Sequence, residues 1–184
     1  YDIIVQAMGG LMSTTGWSDG EPTRTGTPMG DVLGGLSMSI GVLAALVNKG
    51  KTGEGEKVDI ALVDSVVSSM TNINMIYLAT GRIPERIGNR YESTYPYDSF
   101  RAKDGSVILA AGNDKLFGLL CDLMEKPELK TEPRYLTVSD RVENHAGLKA
   151  IIEEWSSRFP VDEIVEMMNQ IGAPSCPINS IDRV

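Results

Sequence analysis

The residue best placed for chemistry is Asp31. It follows a segment rich in Gly, Pro, Thr and Ser (residues 16–30) and precedes a long apolar segment. This pattern predicts a loop that ends at Gly30-Asp31, where a helix begins. The Asp31 carboxylate could then accept hydrogen bonds from the first free N–H groups of the helix, as a capping aspartate does. It could also act as a nucleophile, because a helix N-terminus keeps a carboxylate ionised. The pattern alone favours capping, since capping aspartates are common.

The other reactive residue types offer few alternatives. The chain has one histidine, His145, so any Ser-His-Asp or Cys-His mechanism would depend on it, and its polar surroundings predict a surface position. Cys121 and Cys176 are far apart in sequence and show no metal-ligand spacing, so we expect two reduced, mostly buried thiols. The sequence therefore predicts neither a metal site nor a disulfide.

The elements that must position Asp31 follow from the spacing of apolar residues and from Gly and Pro. For the first half we predict a helix at residues 2–15, the loop at 16–30, a buried helix at 32–48, a strand at 57–62 and a helix at 63–79. For the second half we predict a hairpin from residues 97–101 and 107–111, helices at 115–125, 139–159 and 161–171, and a strand at 176–179. The composition changes near residue 80. The domains are therefore predicted as residues 1–80 and 96–184, joined by a linker at 81–95.

Length and composition narrow the class of protein. A chain of 184 residues with 42% hydrophobic and 23% charged residues can bury a globular core. Its formal charge of -8 argues against nucleic-acid binding, which needs a cationic face. The best apolar run, Ile40–Val47, falls short of the roughly 18 residues of a membrane span, and no secretory signal is visible. We therefore expect a cytoplasmic enzyme without a membrane partner. Because the chain starts at Tyr1 without methionine and stops at Val184 soon after a strand, we also expect an internal piece of a longer protein.

An ordered series of short motifs runs through the chain. In the first half they are Tyr1–Ala7 (YDIIVQA), Gly30-Asp31, Gly41–Leu46 (GVLAAL), Lys51–Gly55 (KTGEG) and Val58–Asp64 (VDIALVD). In the second half they are Gly88-Asn89, Pro96-Tyr97, Asp104-Gly105 and Gly172–Pro174 with Pro177–Ile181. In this series nearly the whole chain resembles class III CoA-transferases, the group that contains formyl-CoA transferase and carnitine CoA-transferase. The resemblance implies an α/β fold, with part of a Rossmann-like large domain and a smaller α+β domain with a short antiparallel sheet. It also implies an interlocked homodimer.

The resemblance reverses the interpretation of Asp31. It implies that Asp31 is the catalytic nucleophile and forms a covalent intermediate while CoA moves from an acyl-CoA thioester to a free carboxylic acid. CoA is then a substrate, and no cofactor or metal is implied. The resemblance places Tyr1 at the acyl site, where the related acyl-CoA racemases carry a histidine. Gly30 would let the substrate approach closely, and Gly88 and Asn89 would shape the acyl pocket.

The chain also departs from the family pattern. Residues 87–94 lack the glycine run of formyl-CoA transferases, so the oxalate/formate pair is not favoured. Most family residues that hold CoA lie upstream of the position of Tyr1. Arginines 82, 86 and 90 could meet a substrate carboxylate, although arginines in a polar loop are more often solvated. Two alternatives stay open: an acyl-CoA racemase of the same fold, and a truncated, non-catalytic piece that forms oligomers.

Overall fold

In the computed structural model, residues 1–184 are all described, and they form two compact units, Tyr1–Gly88 and Asn89–Val184. The division between the units falls inside the segment 81–95 that the sequence analysis assigns as a linker. Each unit has its own hydrophobic cluster.

The first unit is helical. Its elements are α1 (Asp2–Met8), a short 3₁₀ turn (Leu11–Thr14), α2 (Met29–Thr52), α3 (Leu62–Ser69) and α4 (Thr71–Thr80). The predicted helix 2–15 is interrupted because Gly10 has a φ of 83°, a left-handed conformation that glycine adopts without strain. The predicted helix 63–79 is likewise two helices, which meet at Met70.

Helix α2 is longer and more exposed than the sequence predicts. It begins at Met29 and ends at Thr52, and of its residues only Gly30 and Gly34 are buried. The prediction of a buried helix is therefore wrong for this chain. Apolar residues make a helix suited to burial, but the helix is buried only where other elements pack against it. By length and composition alone, α2 could cross a membrane, which corrects the expectation that no segment reaches that length.

The contacts that hold the first unit together are made between helices. Val5 of α1 packs with Val66 and Met70 in a small cluster. Helices α2 and α3 approach closely at Gly34, where a Cβ atom would lie 3.0 Å from Leu62 Cγ. Residues 57–61, which were predicted as a strand, form no strand. Alternating apolar residues indicate an extended conformation, but a strand also needs a partner with which to pair.

The second unit is the small α+β unit that the resemblance implies. It contains β1 (Tyr97–Arg101), β2 (Ser106–Ala110), α5 (Asp114–Leu123), α6 (Val138–Glu143), α7 (His145–Ser156), α8 (Val161–Gln170) and β3 (Ser175–Pro177), with short 3₁₀ turns at Pro127–Lys130, Pro133–Tyr135 and Ile181–Arg183. The sheet is antiparallel with the order β1-β2-β3. Ile108 of β2 lies opposite Ser99 of β1 and Cys176 of β3. The predicted hairpin is thus confirmed, and the helices pack against the sheet around buried residues such as Phe100 and Ile152.

The long helix predicted at residues 139–159 is divided in two. Helix α6 is capped by Thr137, whose side chain and backbone exchange hydrogen bonds with Asp140 in a capping box. The cap therefore lies two residues before the predicted start of the helix at residue 139. Helix α6 ends at Glu143, Asn144 separates the two helices, and His145 begins α7.

Candidate active site

Asp31 is the third residue of α2, and its side chain is exposed to solvent. It does not cap the helix. The position before α2 is occupied by Pro28, which has no side chain that could cap, and the N–H of Gly30 donates instead to Oδ1 of Asp2 at 2.8 Å. The Asp31 carboxylate makes no hydrogen bond or ion pair. The interpretation of Asp31 as a capping aspartate is therefore wrong, because another carboxylate already fills that role.

Asp2 is in turn fixed by Gln6, one helical turn further along α1. The Gln6 amide Nε2 donates to Asp2 Oδ2 at 2.8 Å, and the Gln6 carbonyl Oε1 accepts from the backbone N–H of Thr25 at 3.0 Å. The Gln6 side chain is fully buried. Asp2 and Gln6 both lie in the motif Tyr1–Ala7, but the sequence alone assigned neither of them a role. An Asp and a Gln four residues apart on a predicted helix were the available signal, because such residues lie on one face.

The first turn of α2 has one backbone donor that is left unused. The N–H of Met29 bonds to the carbonyl of Thr27 at 2.8 Å, and the N–H of Val32 bonds to the carbonyl of Pro28 at 3.0 Å. With the N–H of Gly30 held by Asp2, the backbone N–H of Asp31 is the donor of this turn that has no partner. A free N–H beside an exposed carboxylate can bind an anionic oxygen.

The glycines near Asp31 differ in what surrounds them. A Cβ atom on Gly30 would lie 3.1 Å from Asp2 Oδ1, so this glycine lets α1 approach the beginning of α2. Gly34 serves the contact with Leu62 in the same way. Gly35 has open space around it, with no heavy atom within 4 Å of its Cβ position. A contact between Gly30 and substrate stays a prediction, and the structure gives this glycine a packing role.

Gly88 lies against the loop that leads to Asp31. Its N–H donates to the carbonyl of Gly16 at 2.9 Å, and it has a φ of 66°. A Cβ atom here would lie 2.3 Å from Cζ3 of Trp17, so only glycine fits beneath that ring. The Arg86 guanidinium also holds this loop, since Nη2 donates to the carbonyl of Gly20 at 2.8 Å. Gly88 thus packs against the start of this loop, whereas Gly30 and Asp31 follow its end in α2.

The other two predicted site residues are placed differently. Tyr1 precedes α1, where its carbonyl accepts from the N–H groups of Ile4 and Val5, and its side chain is fully exposed. Asn89 begins the second unit, where its Nδ2 donates to Ser99 Oγ at 3.1 Å. Substrate contacts of both residues stay predictions.

The histidine and one cysteine depart from their expected environments. His145 is half-buried, with Nδ1 2.9 Å from the carbonyl oxygen of Val142 and its ring edge-on to Tyr95, so the predicted surface position is wrong. Cys121 is buried as expected, but Cys176 is exposed, and both are free thiols. No group of three or more His, Cys, Asp or Glu residues is arranged to hold a metal ion.

Comparison with known proteins identifies the family. The family model described as CoA-transferase family III matches residues 1–184. The chain is 40% identical over 179 residues to an acetyl-CoA:oxalate CoA-transferase from Acetobacter aceti, covering 97% of this chain and 46% of that protein. It is 37% identical over 180 residues to a succinyl-CoA:mesaconate CoA-transferase from Haloarcula marismortui, covering 98% of this chain and 45% of that protein.

A solved structure agrees with these matches. The crystal structure of a CaiB/BaiF family protein from Brucella suis superposes with a TM-score of 0.83 at 38% identity, and the match covers 99% of this chain and 48% of that one. The expected fold class, an α/β fold of the CoA-transferase type, is thereby confirmed. The chain spans about half the length of the relatives it matches. By sequence and by fold, this chain belongs to CoA-transferase family III.

Proposed function

We propose that the complete gene product containing this chain transfers CoA from an acyl-CoA thioester to a free carboxylic acid through a covalent intermediate on Asp31. Membership of a CoA-transferase family supports transfer of CoA in general. The observation that carries the role of Asp31 is that a different carboxylate, that of Asp2, caps the N-terminus of α2. Asp2 accepts the N–H of Gly30 in the first turn of α2, and the exposed Asp31 carboxylate has no hydrogen bond to break before it reacts.

The proposed reaction has four steps that conserve every atom. The Asp31 carboxylate attacks the thioester carbonyl, which gives a mixed anhydride and releases CoA thiolate. The thiolate attacks the Asp31 carbonyl, which gives an aspartyl-CoA thioester and releases the donor acid. The acceptor carboxylate then attacks this thioester to form a second anhydride and free thiolate. Attack of the thiolate on the acceptor's acyl carbonyl yields the new acyl-CoA and restores Asp31. A carboxylate nucleophile suits this chemistry because its anhydride keeps the activation that hydrolysis would lose.

Each of these attacks develops negative charge on a carbonyl oxygen. The backbone N–H of Asp31 is positioned at the positive end of a 24-residue helix and has no partner, so it is the donor we assign to stabilise that charge. Loss of one such donor commonly costs about 10²–10³ in kcat.

The substrates are proposed to include a dicarboxylic acid. Oxalate and mesaconate, which appear in the names of the two relatives described above, are both dicarboxylic acids. The relative named for oxalate is 40% identical to this chain, so oxalate remains a candidate substrate although residues 87–94 lack the glycine run of formyl-CoA transferases.

The remaining features of the proposal follow from the resemblance. CoA is bound as a substrate, no cofactor takes part, and the protein works as a cytoplasmic homodimer. Light scattering on the purified gene product tests the dimer, since a monomer at micromolar concentration would contradict it.

The nucleophile is tested by replacing Asp31 with asparagine in the complete gene product. The side chain keeps its size but loses the charge and the nucleophilic oxygen, so transfer is expected to fall by on the order of 10³-fold or more. Asp64→Asn is the matched control, because Asp64 is the exposed third residue of α3 and should leave turnover unchanged. Hydroxylamine treatment during turnover should convert Asp31 to a hydroxamate that mass spectrometry detects. Undiminished transfer by the Asp31→Asn enzyme would refute the proposal.

A further inference from the structure

We propose that Gln6 is a positioning residue for the nucleophile, acting through Asp2 on the first turn of α2. The inference rests on the proposed function, since it concerns how the same carboxylate is held. Gln6 has no solvent exposure, so it cannot touch a substrate. Its effect on the reaction must pass through the groups that it bonds.

The hydrogen-bond network around Gln6 joins three segments of the first unit. Gln6 itself lies on α1, its Oε1 holds the backbone N–H of Thr25 in the loop at 3.0 Å, and its Nε2 holds Asp2 at 2.8 Å. Asp2 then holds the N–H of Gly30 at 2.8 Å, one residue before Asp31. One buried amide thus joins the loop and the beginning of α2 to the same helix.

The bonds of this network are directional, and their donors and acceptors cannot be exchanged. Both Asp2 carboxylate oxygens are used, one by the backbone of Gly30 and one by the Gln6 amide, so the carboxylate cannot rotate without losing a bond. The Thr25 hydroxyl lies 3.3 Å from Gln6 Oε1, but its shorter hydrogen bond, at 2.7 Å, goes to the carbonyl of Thr27. In a buried site, a donor or acceptor without a partner costs about 1–3 kcal/mol, which favours a single arrangement of the network.

A single arrangement matters because covalent attack depends on position. A displacement of about 1 Å can cost on the order of 10²-fold in rate even when it originates away from the reacting atoms. Without Gln6, Asp2 would lose one of its two bonds and the loop would lose its attachment at Thr25. Asp31 would then remain exposed but would sample a wider range of positions.

Two variants of the complete gene product test this inference. Gln6→Met removes both polar links while keeping a similar shape, and we expect kcat to fall about 10–100-fold. KM for the acyl-CoA should stay within about twofold, because Gln6 does not contact substrate. Gln170→Met is the matched control, since Gln170 is exposed at the end of α8 and should leave kcat unchanged.

Gln6→Glu provides a readout that a purely structural role would not give. When protonated, the new carboxyl group can donate to Asp2 as the amide does; when ionised, it repels Asp2. The ratio of mutant to wild-type kcat should therefore rise as pH falls, while the ratio for Gln170→Glu stays flat. Circular dichroism and thermal unfolding of each variant show whether it is folded, and if Gln6→Met does not fold, Gln6→Glu decides.

The outcomes separate this inference from the proposed function. An inactive Asp31→Asn enzyme together with wild-type kcat in Gln6→Met overturns the inference alone. A kcat ratio for Gln6→Glu that does not change with pH overturns it as well. Full activity in Asp31→Asn removes the proposed function, and the positioning role with it. Support requires a lowered kcat, a nearly constant KM and recovery of Gln6→Glu at low pH.

Discussion

Replacing Arg141 with methionine is expected to destabilise the second unit by about 3–5 kcal/mol. The Arg141 side chain is fully buried, and its guanidinium donates to three backbone carbonyls, those of Tyr95 at 3.0 Å, Tyr135 at 3.1 Å and Gly112 at 2.9 Å. These carbonyls lie in three separate segments, before β1, before α6 and after β2. Arg141 therefore ties the open end of the β1–β2 hairpin to the turn before α6.

The expected magnitude follows from these contacts. Methionine fills much of the same volume but has no donor, so three carbonyls lose their guanidinium partner, at about 1 kcal/mol or more each. The guanidinium carbon also lies 4.5 Å from the centre of the Phe117 ring, a contact worth about 0.5–2 kcal/mol. The ion pair with Asp114, at 2.7 Å, adds little because the Asp114 side chain is 75% exposed and water replaces its partner.

The assay is urea unfolding of the 184-residue chain in a Trp17→Phe background, followed by tryptophan fluorescence. The signal then comes from Trp155, which is buried in the second unit. Arg101→Met is the matched control, since Arg101 is exposed at the end of β1 and should shift the midpoint little. A loss below about 1 kcal/mol in Arg141→Met would refute the reasoning, because it would mean that the three carbonyls find other partners at no cost.

Two further predictions concern local environment in the 184-residue chain. Gly35→Ala should stabilise it by about 0.5–1 kcal/mol, because the Cβ position of Gly35 is open and alanine favours the helix. Gly34→Ala should destabilise it, because the new Cβ would lie 3.0 Å from Leu62 Cγ. Urea unfolding of both variants checks the two signs. Burial raises the pKa of the Cys121 thiol to about 11, so at pH 8 it stays protonated and Ellman's reagent should modify only the exposed Cys176, with Cys121 reacting after denaturation. The same shift lowers stability as pH rises from 9 towards 11, since the unfolded thiol ionises first.

Local patterns in the sequence predict the second unit better than the first. The hairpin around Lys103–Gly105 is confirmed because alternating residues and a tight turn are close in sequence. The predicted bounds of α5 and α8 agree with the structure within two residues, since Pro127 follows the end of α5 and Pro160 precedes the start of α8. Residues 57–61 fail as a strand because pairing depends on a distant partner, which periodicity within one segment does not reveal.

The same limit applies to the candidate site. The sequence places Asp31 at a helix start, which is confirmed, but the local pattern taken alone favours it as the cap, which is wrong. The true cap comes from Asp2, and the residues it joins are 28 positions apart. A capping prediction based on neighbouring residues assigns the cap to the nearest carboxylate. It therefore misses a cap that another helix supplies.

The position of the cap on Asp2 also explains why Asp31 is suited to its proposed role. A carboxylate that caps a helix gives its lone pairs to backbone N–H groups, and attack on a thioester would have to break those bonds first. Here Asp31 lies in the first turn of α2 but accepts no backbone hydrogen bond, and the helix dipole favours negative charge that develops at this end of α2. The hydrogen bond is supplied from α1 by Asp2, which Gln6 orients. Separating the cap from the nucleophile leaves the Asp31 carboxylate both exposed and unbonded, a combination that one aspartate performing both tasks could not provide.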